Sequence, residues 1–380
     1  MMPIIRPCLD GAEEAAVQRV LRSGWITQGP EVAAFEREFA DYTGAAHACA
    51  VSSCTTALHL ALLVAGVEAG DEVITVSHSF IATANAIRYL GAIPVFVDIR
   101  PESGCLDPAL LAAAWTPRTR AVLCVHQLGI PCDMAAILAF ARGRGIRVIE
   151  DAACAVGSAL LLEGAWRRIG HSGGDLACFS FHPRKLLTTG DGGMITGEDE
   201  ALLARLRRLR QHGMSVPDTI RHHAQQVIFE SYDELGYNYR MTDLQAAIGR
   251  VQLAKLPGMV QRRRELAQRY HALLAGIPGL EVYREPEWIH WNYQSFWVRL
   301  PEHCDQKRVM GHLLEHGISS RRGVMCAHLE APYVTEALRW PLPWSERARD
   351  RTILLPLYHD MEAGDQERVA ERLREACAQG

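Results

Sequence analysis

Seven short apolar runs, each bounded by turn residues, constrain this chain more than any other feature. They are "ACAVS" (48–52), "EVITV" (72–76), "IPVFVD" (93–98), "RAVLCV" (120–125), "IRVIED" (146–151), "LACFSF" (176–181) and "GMITG" (193–197). Each is too short for a stable helix and rich in Val, Ile or Phe, as strands buried on both faces are. Between most of them lie helical patterns such as "TTALHLALLVAG" (55–66) and "DMAAILAFARGRG" (133–145). Strand alternating with helix predicts an α/β fold, a mostly parallel seven-stranded sheet sandwiched by helices.

The pattern changes after about residue 198. "EALLARLRRLRQHG" predicts a helix ending at Gly213, with the basic run "RLRRLRQH" (205–212) as its solvated face. A polar, His-rich loop (215–234) has no assignable period. "MTDLQAAIGRVQLAKLPGMVQRRRELAQRYHALLAG" (241–276) predicts a long helix, capped by Thr242 or Asp243 and broken or bent at Pro257. The remainder mixes strands such as "SFWVRL" (295–300) with helices such as "DQKRVMGHLLEHG" (305–317). The expected organisation is a large domain over 1–245 and a smaller α+β domain over 246–380. No repeat or low-complexity linker separates them, so the two should pack closely.

Composition excludes several classes. A 380-residue chain that is 48% hydrophobic and 22% charged builds a large core without disulfide or metal staples. A net charge of −4 gives no support to nucleic-acid or anionic-membrane binding. No apolar run reaches the ~18 residues of a membrane span. The start, "MMPIIRPCLDGAEEA", lacks the basic and apolar regions of a signal peptide. The eleven cysteines form no C-x-x-C pair, so neither a zinc ribbon nor a dithiol site is indicated and no metal is expected. Such usage fits a reducing cytoplasm.

"FSFHPRKLLTTGDGG" (179–193) holds one of only three lysines, Lys185, Lys255 and Lys307, among 40 Lys and Arg. Open parallel sheets bind ligands outside the carboxyl ends of their strands. Asp151 ends the fifth run there, Ser180, His182 and Lys185 follow the sixth, and "SSCTT" (52–56) turns the first into a helix. Free N–H groups and the positive helix end make that turn an anion site; plain N-capping by Ser53 or Thr55 is the alternative, and both can hold. Asp151 is either a turn residue or a carboxylate for a cationic ring nitrogen. Lys185 is either a surface cation, a task this chain gives to Arg, or an amine for Schiff-base chemistry that guanidinium does not perform. An amine, a carboxylate and a phosphate cup at adjacent strand ends are what pyridoxal phosphate (PLP) requires.

Longer motifs carry a resemblance. "SGWITQGPEVAAFEREFA", "SSCTTALHLALL", "GDEVITVSHSFIATANAI", "IEDAACAVGS", "FSFHPRKLLTTGDGGM" and "LGYNYRMTDLQAAIG" resemble the ordered motifs of the DegT-type (DegT/DnrJ/EryC) sugar aminotransferases, PLP enzymes of fold type I. The resemblance runs from about residue 3 to the C-terminus. It implies that Lys185 carries the internal aldimine and moves a proton, and that Asp151 holds the pyridinium N–H. It implies that Ser180, Thr55 and the N–H of Thr56 bind phosphate beside Ser53, and that Phe80 stacks on the ring. By the same resemblance Asn238 reaches the phosphate of a neighbouring subunit, making the active site a homodimer property, with Arg240 beside it. Cys154 stands where the family commonly has Gln on the cofactor's ring hydroxyl, Val156 where it has His, and Cys54 where it has Gly.

The expected activity is transfer of an amino group, from L-glutamate by family analogy, to a keto or aldehyde sugar that is nucleotide-linked. Arg321, Arg322 and His328 in "SSRRGVMCAHLEAPY", together with His182, are candidate substrate contacts; paired arginines suit a diphosphate or carboxylate. The aromatic group Trp288, His290, Trp291 and Tyr293 is expected to pack the small domain. A PLP-dependent sugar dehydratase of the same fold and a non-catalytic PLP-binding regulator are the alternatives; Lys185 and the lack of an added DNA-binding domain argue against them.

Overall fold

A computed structural model describes residues 1–216, 226–334 and 338–379; part of the His-rich loop, 217–225, lies outside the described residues. All seven expected strands form. They are β1 (His47–Val51), β2 (Glu72–Val76), β3 (Ile93–Val97), β4 (Thr119–Val125), β5 (Arg147–Asp151) and, after a hairpin of β6 (Ala159–Leu162) and β7 (Ala165–Arg168), β8 (Leu176–Ser180) and β9 (Gly193–Gly197). They join in one sheet, ordered β1-β9-β8-β5-β4-β2-β3. The pairings among β3, β2, β4, β5 and β8 are parallel, and β9 runs antiparallel to both of its neighbours.

Side chains alternate across the sheet with the period of a strand. Cys49, Val51, Ala121, Leu123, Leu176 and Cys178 enter the core on one face. Ala48, Ala50, Val122, Cys124, Ala177 and Phe179 enter it on the other. With both faces covered, the strands read as unbroken apolar runs. Helices α1 (Gly11–Ser23), α2 (Pro30–Thr43), α3 (Cys54–Val64), α4 (Ala82–Tyr89), α5 (Leu111–Ala114), α6 (Met134–Arg142) and α7 (Glu200–Leu209) surround it. Helix α3 is apolar nearly all round because the sheet, α4 and α7 enclose it.

Helix α8 (Asp243–Leu274) runs through Pro257 without a break, so of the break or bend expected there the break is excluded. Packing at both ends outweighs the lost hydrogen bond. Its first half lies against α1 and α2, where Gly249 lets Phe35 approach so closely that a Cβ would sit 2.6 Å from the ring. Near its end the buried Tyr270 hydroxyl donates to the Pro356 carbonyl at 2.9 Å. Thr242 is the N-cap, in a capping box with Gln245. Asp243 instead accepts from the amides of Gly29 (2.8 Å), Glu31 (3.2 Å) and Val32 (3.0 Å), capping α2 from across the fold. The basic run at 205–212 is only partly a solvated face, because Arg210 is buried on Glu36 and the Ala50 carbonyl.

The C-terminal part holds β10 (Glu281–Val282), β11 (Ile289–His290), β12 (Phe296–Arg299), β13 (Arg321–Arg322) and β14 (Thr352–Leu355), with α9 (Gln306–Glu315), α10 (Pro343–Arg351) and α11 (Ala363–Gln379). Four of these strands make an antiparallel sheet, β10-β12-β14-β13, while β11 extends the β6–β7 hairpin. The N-terminal residues join this part: Met2 donates to the Gly317 carbonyl, and the Leu357 amide to that of Ile4. Among the described residues no helix is long and apolar enough to cross a membrane.

Candidate active site

β4 and β5 end level with one another, because Val125 pairs with Asp151, and β8 runs two residues further, from Cys178 opposite Asp151 to Ser180. Above them opens a cleft of about 720 Å³. Ser53, Thr55, Phe80, Asp151, Cys154, Ser180, His182, Lys185, Arg321 and Arg322 all line it. Thr56, Asn238 and His328 do not.

The anion cup is the first turn of α3. Ser53 is its N-cap and exchanges hydrogen bonds with Thr56, whose side chain and amide are both used within the cap, the amide donating to Ser53 Oγ at 3.2 Å. Cys54 turns inward toward the Cys178 carbonyl. Thr55 faces the cleft. Gly193 is required behind this turn, since a Cβ there would lie 2.6 Å from the carbonyl carbon of Ser53 and 2.8 Å from the Cys54 amide. The Ser52 amide donates to the Tyr239 carbonyl at 2.8 Å, which brings the "GYNYR" segment beside the cup. Asn238 in that segment is exposed and accepts from Arg240 Nε at 3.2 Å.

Asp151 is buried. Its Oδ2 accepts from the Thr83 hydroxyl at 2.7 Å, which is itself 2.7 Å from the Ser79 hydroxyl, and its Oδ1 accepts from the Ala153 amide at 3.2 Å. Burial pushes the carboxyl's pKa up against these hydrogen bonds and the nearby Lys185 charge. Lys185 Nζ points at Cys154 Sγ, 3.0 Å away. Burial pulls its ammonium down, but the charge and hydrogen bond of Cys154, with Cys54 and Asp151, outweigh that and lift its pKa. The lysine's own loop is tied on both sides by one residue: Gln294 accepts from the Leu186 amide at 2.9 Å and donates to the Arg184 carbonyl at 2.6 Å. Arg263 of α8 in turn holds the Tyr293 and Gln294 carbonyls at 3.1 and 3.0 Å.

His182 Nδ1 accepts from the Arg184 amide at 3.1 Å; burial first, then Arg184, lowers its pKa. Arg321 and Arg322 form β13 and are exposed. His328 is buried between Ser77, 2.6 Å from its Nδ1, and Glu346, 3.3 Å from its Nε2. Trp291 and Tyr293 are core residues, and His290 stacks on Trp166 with ring centroids 3.7 Å apart. Thr83 and Gln294 went unread in the sequence; Thr83 lies in a quoted motif, three residues past Phe80, but its partner is 68 residues away.

A hydroxyl-rich turn at a helix N-terminus, a buried carboxyl and a lysine amine, convergent at the carboxyl ends of a mostly parallel sheet, define a PLP-dependent transferase of fold type I. The chain belongs to the DegT/DnrJ/EryC1/StrS aminotransferase family, whose model matches residues 7–374. It is similar to DesV of S. venezuelae, solved in complex with a ketimine intermediate, at 36% identity over 99% of this chain and 98% of that one, with a TM-score of 0.88. It is also similar to DesI, solved in the presence of its TDP-sugar product, at 33% identity over 100% and 93%, TM-score 0.89. Spr1654 of Streptococcus pneumoniae, solved in PMP and PLP forms, is 26% identical over 100% of both chains in its PMP form, TM-score 0.92. The cofactor is pyridoxal phosphate and the reaction an amino transfer.

Proposed function

We propose that this enzyme moves an amino group from an amino acid, L-glutamate, to a ketone or aldehyde on a nucleotide-linked sugar, through Lys185. One observation carries the proposal: Lys185, Asp151 and the Ser53–Thr55 cup share a cleft whose outer wall is Arg321 and Arg322. The residues fit the cofactor. Phe80 is 64% exposed within the cleft, an apolar surface left open where a planar ring would cover it. The Ser53 turn and Ser180 would hold a phosphate, with Thr55 and with the Thr56 amide once it exchanges Ser53 Oγ for the anion. Asp151 would accept a hydrogen bond from a cationic ring nitrogen, which offsets the cost of its burial. Cys154, a weak donor, would face the ring hydroxyl.

When bound, PLP supplies an aldehyde that joins primary amines and a ring that withdraws electrons from the neighbouring carbon. The protein moves the protons. Lys185 Nζ would take the proton from the donor's α-carbon and pass it on, the amino group being left with the cofactor as the donor departs as its 2-oxo acid; in the return half Nζ would deliver a proton to the sugar carbon that gains the amine. Four cations line the cleft, Arg184, Lys185, Arg321 and Arg322, against the carboxylates Asp151 and Asp191. That excess suits the carboxylate of an amino acid and the diphosphate of a nucleotide-linked sugar. DesI with its TDP-sugar product supports the same acceptor class.

Residence in the cytoplasm accords with eleven unpaired cysteines. A homodimer accords with Val227, Phe229 and Leu235, which are more than 80% exposed in the segment leading to Asn238 and offer an apolar surface for a second copy. The test is a panel of free and nucleotide-linked keto sugars with PLP-loaded protein and glutamate, read by mass spectrometry for a new amine. Amination of nucleotide-linked ketones is expected. Turnover of free sugars alone removes the nucleotide, and no amine from any sugar removes the acceptor class.

A further inference from the structure

Two histidines one helical turn apart lie on the side of the small domain that α11 covers. His312 is in the last turns of α9 and His316 is its C-cap; at this spacing both project from one helix face, with ring centroids 4.4 Å apart. Glu375 of α11 completes the group, its Oε2 being 3.4 Å from His312 Nε2. One ligand atom from each of the three lies within 4.8 Å of the others.

The hydrogen bonds around the group leave its lone pairs free. His316 Nδ1 is 2.8 Å from the His312 carbonyl. A carbonyl only accepts, so Nδ1 carries the proton and Nε2 carries an open lone pair. Metal-ligating histidines are commonly fixed in this way. His312 Nε2 is buried and has no hydrogen-bond partner, in spite of its nearness to Glu375. Arg372 Nη1 fixes the carboxylate by donating to Oε1 at 2.9 Å and Oε2 at 2.8 Å, and each oxygen keeps a second lone pair. Arg368 Nη2 donates to the His316 carbonyl at 2.7 Å, holding the end of α9 against α11.

We propose that His312, His316 and Glu375 bind one divalent transition-metal ion of the zinc type, with water as fourth ligand. Two imidazoles and a carboxylate are a zinc donor set. Tetrahedral zinc with bonds of about 2.1 Å places its ligands about 3.4 Å apart, a distance the His312–Glu375 pair already has. The distances to His316, at most 4.8 Å, would shorten by rotation of its half-buried ring.

The ion would clamp the end of α9 to α11. Met310 of α9 lines the catalytic cleft, and the turn after His316 leads directly into Arg321 and Arg322. The site would therefore stiffen the wall that carries the cleft's outer cations without contacting the cofactor.

The experiment uses full-length, PLP-loaded protein stripped of metal by a chelator and titrated with Co²⁺, then with Zn²⁺. One equivalent of Co²⁺ should bind with the visible bands of a nitrogen- and oxygen-ligated tetrahedral ion. Zn²⁺ should displace it and raise the melting temperature. His316→Ala and Glu375→Gln should each weaken binding by at least about tenfold. Their unchanged cofactor spectra and metal-free melting temperatures would show that they fold. Absence of a stoichiometric site, a cobalt–thiolate charge-transfer band, or full binding in both variants would overturn the assignment.

Discussion

Replacing Asp151 with asparagine should separate what this residue does for the fold from what it does for the cofactor. Burial dominates its surroundings and holds the carboxyl above the ordinary 3.8, against the donors Thr83 and Ala153 and the charge of Lys185. A raised folded-state pKa means that the cofactor-free fold holds this proton more tightly than the unfolded chain does. The associated stability is full below pH 3.8 and is lost as pH rises through the raised value. Asparagine does not titrate. Cofactor-free Asp151→Asn should thus melt higher than the wild type at mildly alkaline pH, and the gap should narrow as pH falls toward the carboxylate range. The cofactor should respond in the opposite sense. A neutral amide gives up a hydrogen bond between charged partners, which contributes about 1.5–3 kcal/mol. That is roughly a ten- to hundredfold rise in the PLP dissociation constant. Differential scanning calorimetry without cofactor and fluorescence titration with it measure the two effects. A variant that melts lower without cofactor yet binds PLP with unchanged affinity would refute the reasoning.

Cys154→Ser removes the partner that most strongly raises Lys185, so borohydride trapping of PLP onto the lysine, followed by mass spectrometry, should reach half-maximum at lower pH than in the wild type. Gly193→Ala drives a Cβ into the backbone of the α3 cup, and should weaken PLP binding while costing about 1–3 kcal/mol of stability in urea unfolding. Asp243→Ala strips the α2 N-terminus of three amide bonds, and should cost about 2–4 kcal/mol with little change in the PLP dissociation constant.

The central sheet was legible because both of its faces are buried, so each strand announces itself as a short apolar run. The β6–β7 hairpin was not, since Leu161 and Trp166 are exposed and its third strand, β11, follows more than 120 residues after β7. The break allowed for at Pro257 does not form for a related reason: a local rule about one hydrogen bond competes with packing that only the tertiary fold supplies. Asp243 looked like a cap for the helix it begins, yet its partners lie 211–214 residues away. The amine, the carboxyl and the cup were recognisable because their positions relative to strand ends are local facts. Thr83 and Gln294 hold Asp151 and the lysine loop through contacts 68 to 110 residues apart, which no spacing rule reports. The His312–His316 spacing was visible in "GHLLEHG", but the carboxylate that gives it meaning comes from another helix.

Gln294 has a consequence for motion. It belongs to the segment that enters β12 of the four-stranded C-terminal sheet, while its amide grips the backbone on either side of Lys185. Arg263 pins that grip to α8. The Lys185 backbone is thus coupled to the C-terminal sheet by a short linkage as well as to the central sheet beneath it. A displacement of β12 would therefore be felt by the main chain on both sides of Lys185.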